Sequence, residues 1–396
     1  MYRVYVDAEA ALKLLGVKRQ TLYAYAARGL IARAPGADGR RRLYKRTDLE
    51  RLRARHDARS GHGPTAAGAL RFGEPILESS ITCIDARGPV YRGQPATALA
   101  ESNASFESVA ELLWDRPRVD PRAWRSAARA AVPPLPPRGA PISRLIAAVS
   151  RAALDDRTRF EAPRDEELAR GRRIIHLLAT TLGAPRSPAR VAGRVARALG
   201  APESKEADRA IEIVLILLAD HELNSSSFAA RVTASTGADL FACIISGLAA
   251  LSGPEHGTAS DRVEALIASI GAPDRAASTI RSMARRGEAI PGFGHRIYTD
   301  GDPRCAPLLS LAHAIAPRSR AVRTTVALVD AMRDAGHEAA SVDVGLVALT
   351  AALRLPHGSG SALFAVSRCA GWIAHVLEQR AQGFLLRPRA RYIGVK

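Results

Sequence analysis

Aromatic side chains make up only 5% of this 396-residue chain, and runs of Val, Ile and Thr are few and short. Strands draw on those residue types, so their scarcity argues against a β-rich fold. Cysteine is rare as well. Cys83, Cys243, Cys305 and Cys369 are the only four; they lie far apart with no C-x-x-C, which excludes a disulfide framework and offers no zinc spacing. His221 and Glu222 are not followed by the second His of H-E-x-x-H, so that metal motif is missing too. Long apolar runs are also lacking. The most apolar stretch, Val214 to Ala219, is far below the roughly 20 residues a membrane span takes, and Met1 to Leu14 carries acids where a signal peptide needs an apolar core. A cytoplasmic protein is the expectation. Acids are the last shortage: 39 Asp and Glu face 57 Lys and Arg, leaving a formal +18.

What is present is 47% hydrophobic and 24% charged, the composition of a globular protein. Ala and Leu fill long periodic stretches, so the fold is expected to be mainly α. The length fits two or three domains at about 100 to 200 residues each. The positive charge is uneven: residues 1–60 hold 15 Lys and Arg against 6 Asp and Glu, half of the whole excess. Such a concentration points to an anionic partner for that segment, whereas over the rest of the chain an Arg-rich surface is an equally ordinary explanation.

Near the start, Asp7 is placed to cap an apolar-periodic helix through Ala10, Ala11, Leu14 and Leu15 that Gly16 ends. Val17 and Lys18 form a turn, Arg19 to Ala27 a second helix, and Gly29 stops it. Two short helices on a tight turn are the helix-turn-helix pattern. Leu30 to Ala34 and Arg41 to Tyr44 then flank Pro35, Gly36, Asp38 and Gly39, a hairpin pattern, and Thr47 is placed to cap a third helix, Asp48 to Arg55. Lys18, Arg19, Gln20, Thr21 and Tyr23 open the second helix with side chains suited to phosphates and base edges, and Arg40, Arg41 and Arg42 load the hairpin with cations. A basic hairpin that packs on a protein partner has the same pattern. The strings AALKLLGVKRQTLYAYAARGLI and GRRRLYKRTDLERL resemble the excisionase and MerR-type winged helix-turn-helix over about 55 residues, which implies duplex DNA as the partner. From Arg59 to Pro75 the sequence turns to Gly, Ser, Pro and Ala and reads as a linker. Val132 to Pro141, VPPLPPRGAP, reads as a loop between helices.

Further along, four segments set polar residues among apolar or glycine-rich neighbours: DHELNSSSFAARV, GPEHG, IPGFGHRIYTDGDPR and SVDVGLVAL. The apolar run Ile211 to Ala219 ends in Asp220 and His221, so His221 either closes a helix end or faces a ligand. His256 sits in a Gly253-Pro254 turn, and Gly292, Gly294 and His295 form a loop without the spacing of a phosphate-binding P-loop. Asp343 falls in the first turn of an apolar helix that Ser341 is placed to cap, where an acid complements the helix dipole. Arg368 lies among Phe364, Val366, Cys369, Trp372, Ile373 and Val376, where a guanidinium needs an anion unless it reaches solvent. Arg387 and Arg389 repeat that theme in LLRPRARYIG.

The ordered series HELNSSSFAARVTAST, GPEHG, PGFGHRIYTDGDPR, SVDVG, FAVSR and RPRARYIG, preceded by ITCIDARGPVYRGQP, resembles the citrate synthase family from about Phe72 onward. The resemblance implies a two-domain all-helical fold behind the small winged domain: 1–58 helix-turn-helix, 59–71 linker, 72–256 and 351–396 a large domain, 257–350 a smaller one. It implies the Si-type condensation of acetyl-CoA with oxaloacetate and water to citrate and CoA, the acyl group becoming alkyl on transfer, within the tricarboxylic acid cycle. Propionyl-CoA, giving 2-methylcitrate, is the alternative within the family; a metabolite-sensing DNA-binding regulator is the alternative outside it. The catalytic positions implied are His256, His295 and Asp343. Oxaloacetate falls to His221, Arg304, Arg368 and Arg387, the last from a neighbouring subunit, so a homodimer or higher even oligomer is implied and no cofactor or metal. The chain departs from the family pattern at Glu255, Thr258, Ser341 and Val344, where a small or apolar residue, Gly, Asn and an aromatic are usual.

Overall fold

The computed structural model describes residues 5–35, 42–59, 77–116, 118–129, 139–160, 163–183, 190–390, 392 and 394–395. Most of the described elements are helices, as the Ala- and Leu-rich periodicity predicts. The chain falls into two compact units, Met1–Glu78 and Ser79–Lys396.

In the first unit, Asp7 caps the helix Ala8–Leu15 by accepting from the Ala10 amide, and Gly16 ends it in the left-handed region, where glycine carries no Cβ penalty. The helix Arg19–Ala27 follows after the short turn. The hairpin is shorter than predicted: Arg33–Pro35 pairs antiparallel with Arg42–Lys45, and Tyr5–Val6, unforeseen as a strand, pairs with the other edge of Arg42–Lys45. The third helix runs Arg46–Arg59. Thr47 is therefore inside it rather than its cap. Asp48 in that first turn accepts from the Ala32 amide, which ties the helix to the hairpin. Val6, Ala11, Leu22, Ala26, Ile31, Tyr44 and Leu49 form the core. Arg40, Arg41 and the linker residues 60–76 lie outside the described residues.

The second unit departs from pure helix at its start. Thr82–Asp85, Gly88–Tyr91 and Gln94–Pro95 make a small antiparallel sheet, a result of the only local cluster of Ile, Val and Tyr around turn glycines in that region. Its centre is the helix Ser359–Gln382, which packs against Lys205–Leu218, Ser225–Ser235 and Leu240–Leu251. Contrary to the expectation from sequence, that helix is long and apolar enough to cross a membrane, and its most apolar window is 94% buried inside the protein. It serves here as the core helix. The close fit shows at Gly247, where a Cβ would come within 2.8 Å of the Trp372 ring. A second buried cluster, with Val263, Ile280, Leu328, Met332 and Val344 among its members, gathers the helices Ala259–Ile270, Ala276–Arg286, Arg320–Asp334 and Val342–Ala352. The polar segments of the sequence fall at the end of Lys205–Leu218, in the turns at 253–258 and 292–304, and at the start of Val342–Ala352.

Candidate active site

The apolar helix Lys205–Leu218 ends by delivering His221 to a buried position, followed by Glu222 with a positive φ of 54°. His221 Nε2 lies 3.0 Å from the Tyr298 hydroxyl, and its ring stands edge-on to His295 with centroids 5.7 Å apart. Burial first, then Arg304 and Arg368, hold its pKa well below the ordinary imidazole range. It is neutral at physiological pH.

His295 is oriented by its own loop. Nδ1 accepts from the backbone amides of Ile297 at 3.1 Å and Tyr298 at 3.4 Å, so in the neutral ring the proton sits on Nε2, free to be donated. Burial and Arg304 lower the pKa while Asp302 raises it, and the net direction is down. The loop is laced to the Asp343 segment by backbone hydrogen bonds: Gly294 N–H to the Ala339 carbonyl, Ser341 N–H to that of Gly292, and Asp302 N–H to that of Ala340. Gly292 and Gly294 both have positive φ, and a Cβ would meet Val263 and Val344 at the first and Glu338 at the second. At Gly292 no side chain fits, and at Gly294 the left-handed backbone disfavours one.

Ser341 caps Val342–Ala352 as predicted, accepting from the Asp343 amide. Its hydroxyl also donates to Asp343 Oδ2 at 3.1 Å. Asp343 Oδ1 is buried with no hydrogen-bond partner among the described residues. Burial raises the carboxyl pKa to about 6, against the Ser341 hydrogen bond and Arg304. A carboxylate with one unengaged oxygen and a raised pKa has the properties of a proton acceptor.

Two arginines are buried beside these groups. Arg304 forms a two-pronged pair with Asp302, at 2.9 and 2.7 Å, while its Nη1 has no partner among the described residues. Burial opposes its charge, but Asp302 outweighs burial and the pKa is raised. Arg368 is matched less directly: Nε donates to the Leu218 carbonyl at 2.8 Å, its guanidinium lies over the Phe364 ring, and burial lowers its pKa to about 10. Buried guanidinium groups with spare donors fit a carboxylate ligand.

Phe364 also meets the His256 ring edge-on, at 6.2 Å. The turn carrying His256 is so tight that a Cβ at Gly257 would fall 2.3 Å from Leu251 Cγ. His256 Nε2 lies 2.8 Å from Ser226 Oγ, which accepts from Trp372 Nε1 at 3.0 Å and lies 2.7 Å from Asn224 Oδ1. An indole N–H only donates and an amide oxygen only accepts. Ser226 therefore has one proton for two claimants, Asn224 and His256. Burial, then Arg368, lowers the His256 pKa to about 4.

Six of the seven expected substrate-site residues thus belong to one connected region. Arg387 does not join it: it is exposed on the segment after Gly383 and makes no hydrogen bond or ion pair among the described residues. Arg389 is exposed too. Glu255 points to solvent, its side chain 92% exposed and 3.5 Å from Arg262, so it does not confront the arginines. Thr258 precedes Ala259–Ile270 without capping it, and Val344 is fully buried. Tyr298, Asp302, Ser226, Trp372 and Phe364 were missed as site residues; Asp302 and Tyr298 stand in the same GHRIYTDGDPR string as His295, which was the available signal. No cluster of three or more metal-ligating side chains occurs among the described residues.

In the first unit, Lys18, Arg19, Gln20 and Tyr23 are exposed at the start of the second helix, Thr21 is half-buried, and Arg42 is exposed on its strand.

Residues 5–57 match the helix-turn-helix domain model, and residues 71–389 match that of the citrate synthase C-terminal domain. Citrate synthase 2 of Bacillus subtilis is 31% identical over 349 residues, 80% of this chain and 93% of that one. 2-Methylcitrate synthase 2 of Corynebacterium glutamicum is 30% identical, covering 77% and 88%. Among solved structures, citrate synthase of Thermotoga maritima has a TM-score of 0.71 at 28% identity, over 82% of this chain and 94% of that one. The Thermoplasma acidophilum citrate synthase, solved as a ternary complex with carboxymethyl coenzyme A and oxaloacetate, has a TM-score of 0.74 at 25% identity, over 81% and 94%. The segment 71–389, with relatives of at least 30% identity matched along most of their length, makes this chain a member of the citrate synthase family, carrying a helix-turn-helix domain ahead of the synthase region.

Proposed function

We propose that the site condenses acetyl-CoA with oxaloacetate and water, releasing citrate and CoA. The observation that carries the reading is His295, whose Nδ1 is occupied by two backbone amides so that the proton on Nε2 is free to be donated, in one region with two buried arginines and a carboxylate with an unengaged oxygen. Arg304, Arg368 and His221 would hold the dicarboxylate. Asp343 Oδ1 takes a proton from the thioester α-carbon, and a hydrogen bond from His256 stabilises the charge that develops on the thioester oxygen. The enol carbon then attacks the ketone of oxaloacetate as the His295 Nε2 proton is given to the ketone oxygen. Water cleaves the thioester, leaving CoA as the free thiol. On this reading the reaction is of Si-type, needs no metal or cofactor, and runs in the cytoplasm in a homodimer whose Arg387 reaches the neighbouring site.

The 2-methylcitrate synthase named among the relatives favours a second reading with propionyl-CoA. One methylene changes selectivity by only about 1 to 3 kcal/mol. Free-thiol release from purified protein with oxaloacetate and either thioester decides: release with acetyl-CoA at the higher kcat/KM supports the first reading, preference for propionyl-CoA the second. Release with neither supports the sensor alternative. For the helix-turn-helix domain we propose duplex DNA, bound through Lys18, Arg19, Gln20, Thr21, Tyr23 and the Arg40 to Arg42 hairpin, on the strength of the local +9 and the exposed polar start of Arg19–Ala27.

A further inference from the structure

We propose that Asp220 and His375 are positioning residues, a buried carboxylate and imidazole that hold the His221 wall, and with it Arg368, in place for a dicarboxylate. The proposal rests on the oxaloacetate reading of the site.

The wall is fastened to the core helix at four levels. Ser367 Oγ donates to the Leu215 carbonyl, Arg368 Nε to that of Leu218 and the Gly371 amide to that of Ala219. Next comes Asp220, fully buried, with Oδ1 3.4 Å from His375 Nε2. From the other side Tyr91 fixes the same turn, its hydroxyl within 3.2 Å of the Asp220 carbonyl and accepting from the Asp220 amide at 3.3 Å. The fit leaves nothing spare. A Cβ at Gly371 would lie 2.3 Å from Asp220 Oδ1.

The charges are arranged in sequence. Arg231 Nη1 stands 3.5 Å from His375 Nδ1, and a guanidinium only donates, so Nδ1 accepts and the imidazole proton sits on Nε2, toward Asp220. Arg231 is itself balanced by Glu378 at 2.6 Å and held by Gln379 and Gln382. The other groups around Asp220 are Thr82 and Tyr91 from the sheet and Glu222 on its own turn; Arg304 and Tyr298 act on Arg368 from the substrate side.

This placement reconciles two opposing demands on Arg368. A lone buried guanidinium loses its proton more readily, and burial takes Arg368 down to about 10, with Asp220 the largest influence in the opposite direction. A carboxylate seated directly on Arg368, as Asp302 is on Arg304, would occupy donors the substrate needs. Asp220 makes no hydrogen bond to Arg368 among the described residues. Burial works to raise its own pKa, but His375 and then Arg368 outweigh that, and the net direction is down, so it is ionised throughout the working range.

The test is oxaloacetate affinity by calorimetry, with KM and kcat, from pH 6 to 10 in the full-length protein. Asp220→Asn should raise oxaloacetate Kd and KM about tenfold with kcat changed less than about threefold. His375→Leu, which removes the polar group 3.4 Å from Asp220, should weaken affinity in the same way, and His375→Gln should restore most of it. If Asp220→Asn does not fold, the two His375 variants decide alone. A wild-type protein that binds no oxaloacetate overturns the reading of the site. Wild-type binding with an unchanged oxaloacetate Kd in every variant that folds overturns only the role of Asp220 and His375.

Discussion

Ser226 has a single proton, and that fact governs what His256 can do. With the hydroxyl turned to Asn224 Oδ1, His256 must carry its proton on Nε2 and donate to Ser226, leaving Nδ1 without a proton to offer a thioester oxygen. With the hydroxyl turned to His256, Nε2 accepts and Nδ1–H is available. Ser226→Ala removes the choice and the partner together, and should lower kcat about 10-fold to 100-fold while leaving oxaloacetate Kd within about threefold, checked by steady-state kinetics and calorimetry. Asp343 gives a prediction of opposite sign for stability. Its carboxyl pKa is raised from 3.8 to about 6, so the buried charge costs nothing below the unfolded pKa and an increasing amount as pH rises from about 4 through 6. At pH 7 this is at most on the order of 3 kcal/mol. Asp343→Asn should therefore melt higher than wild type at pH 7 and no higher at pH 4. The same pKa sets the acid limb of kcat/KM near pH 6, where an ordinary aspartate would place it near 4.

Elements decide what is reached from where. The segment after Gly383 exposes Phe384 and Leu385 along with Arg387, which supports its use outside the chain's own site. If Arg387 serves the neighbouring site of a dimer, mixing inactive Arg387→Ala with inactive Asp343→Asn protein should regenerate activity, because a hybrid then holds one site with both residues intact; no recovery despite proven subunit exchange would place Arg387 elsewhere. For the proposed duplex partner, Lys18, Arg19, Gln20 and Tyr23 are exposed at the start of Arg19–Ala27, and Arg42 is exposed on its strand. Replacing Arg40, Arg41 and Arg42 by Ala should flatten the log–log salt dependence of duplex binding by up to about 3, at roughly 0.9 for each phosphate no longer neutralised. Condensation kinetics should not move. Elements were also where sequence and structure agreed best and parted most visibly. The Asp7 cap, the Gly16 stop and the Ser341 cap were legible because each is a local backbone event written within four residues. Thr47 was misplaced because Arg46 is already helical, and the sheet at 82–95 went unseen because two- to four-residue strands have too few side chains for a period to register.

Across the whole molecule, the polar strings at 221, 256, 295 and 343 were visible as interruptions of apolar sequence, and the family resemblance set their order. What joined them was not visible. Ser226 meets Trp372 across 146 residues, and Asp220 meets His375 from a comparable distance along the chain, through helices whose crossing no local pattern encodes. Asp343 as the base, in a site that holds oxaloacetate without its help, is the assignment on which the proposed chemistry stands, and Asp343→Asn decides it. Calorimetry should give an oxaloacetate Kd within about threefold of wild type, while thiol release with acetyl-CoA or propionyl-CoA, whichever the wild type prefers, should fall by 100-fold or more. Thiol release within about tenfold of wild type would mean that another group takes the proton.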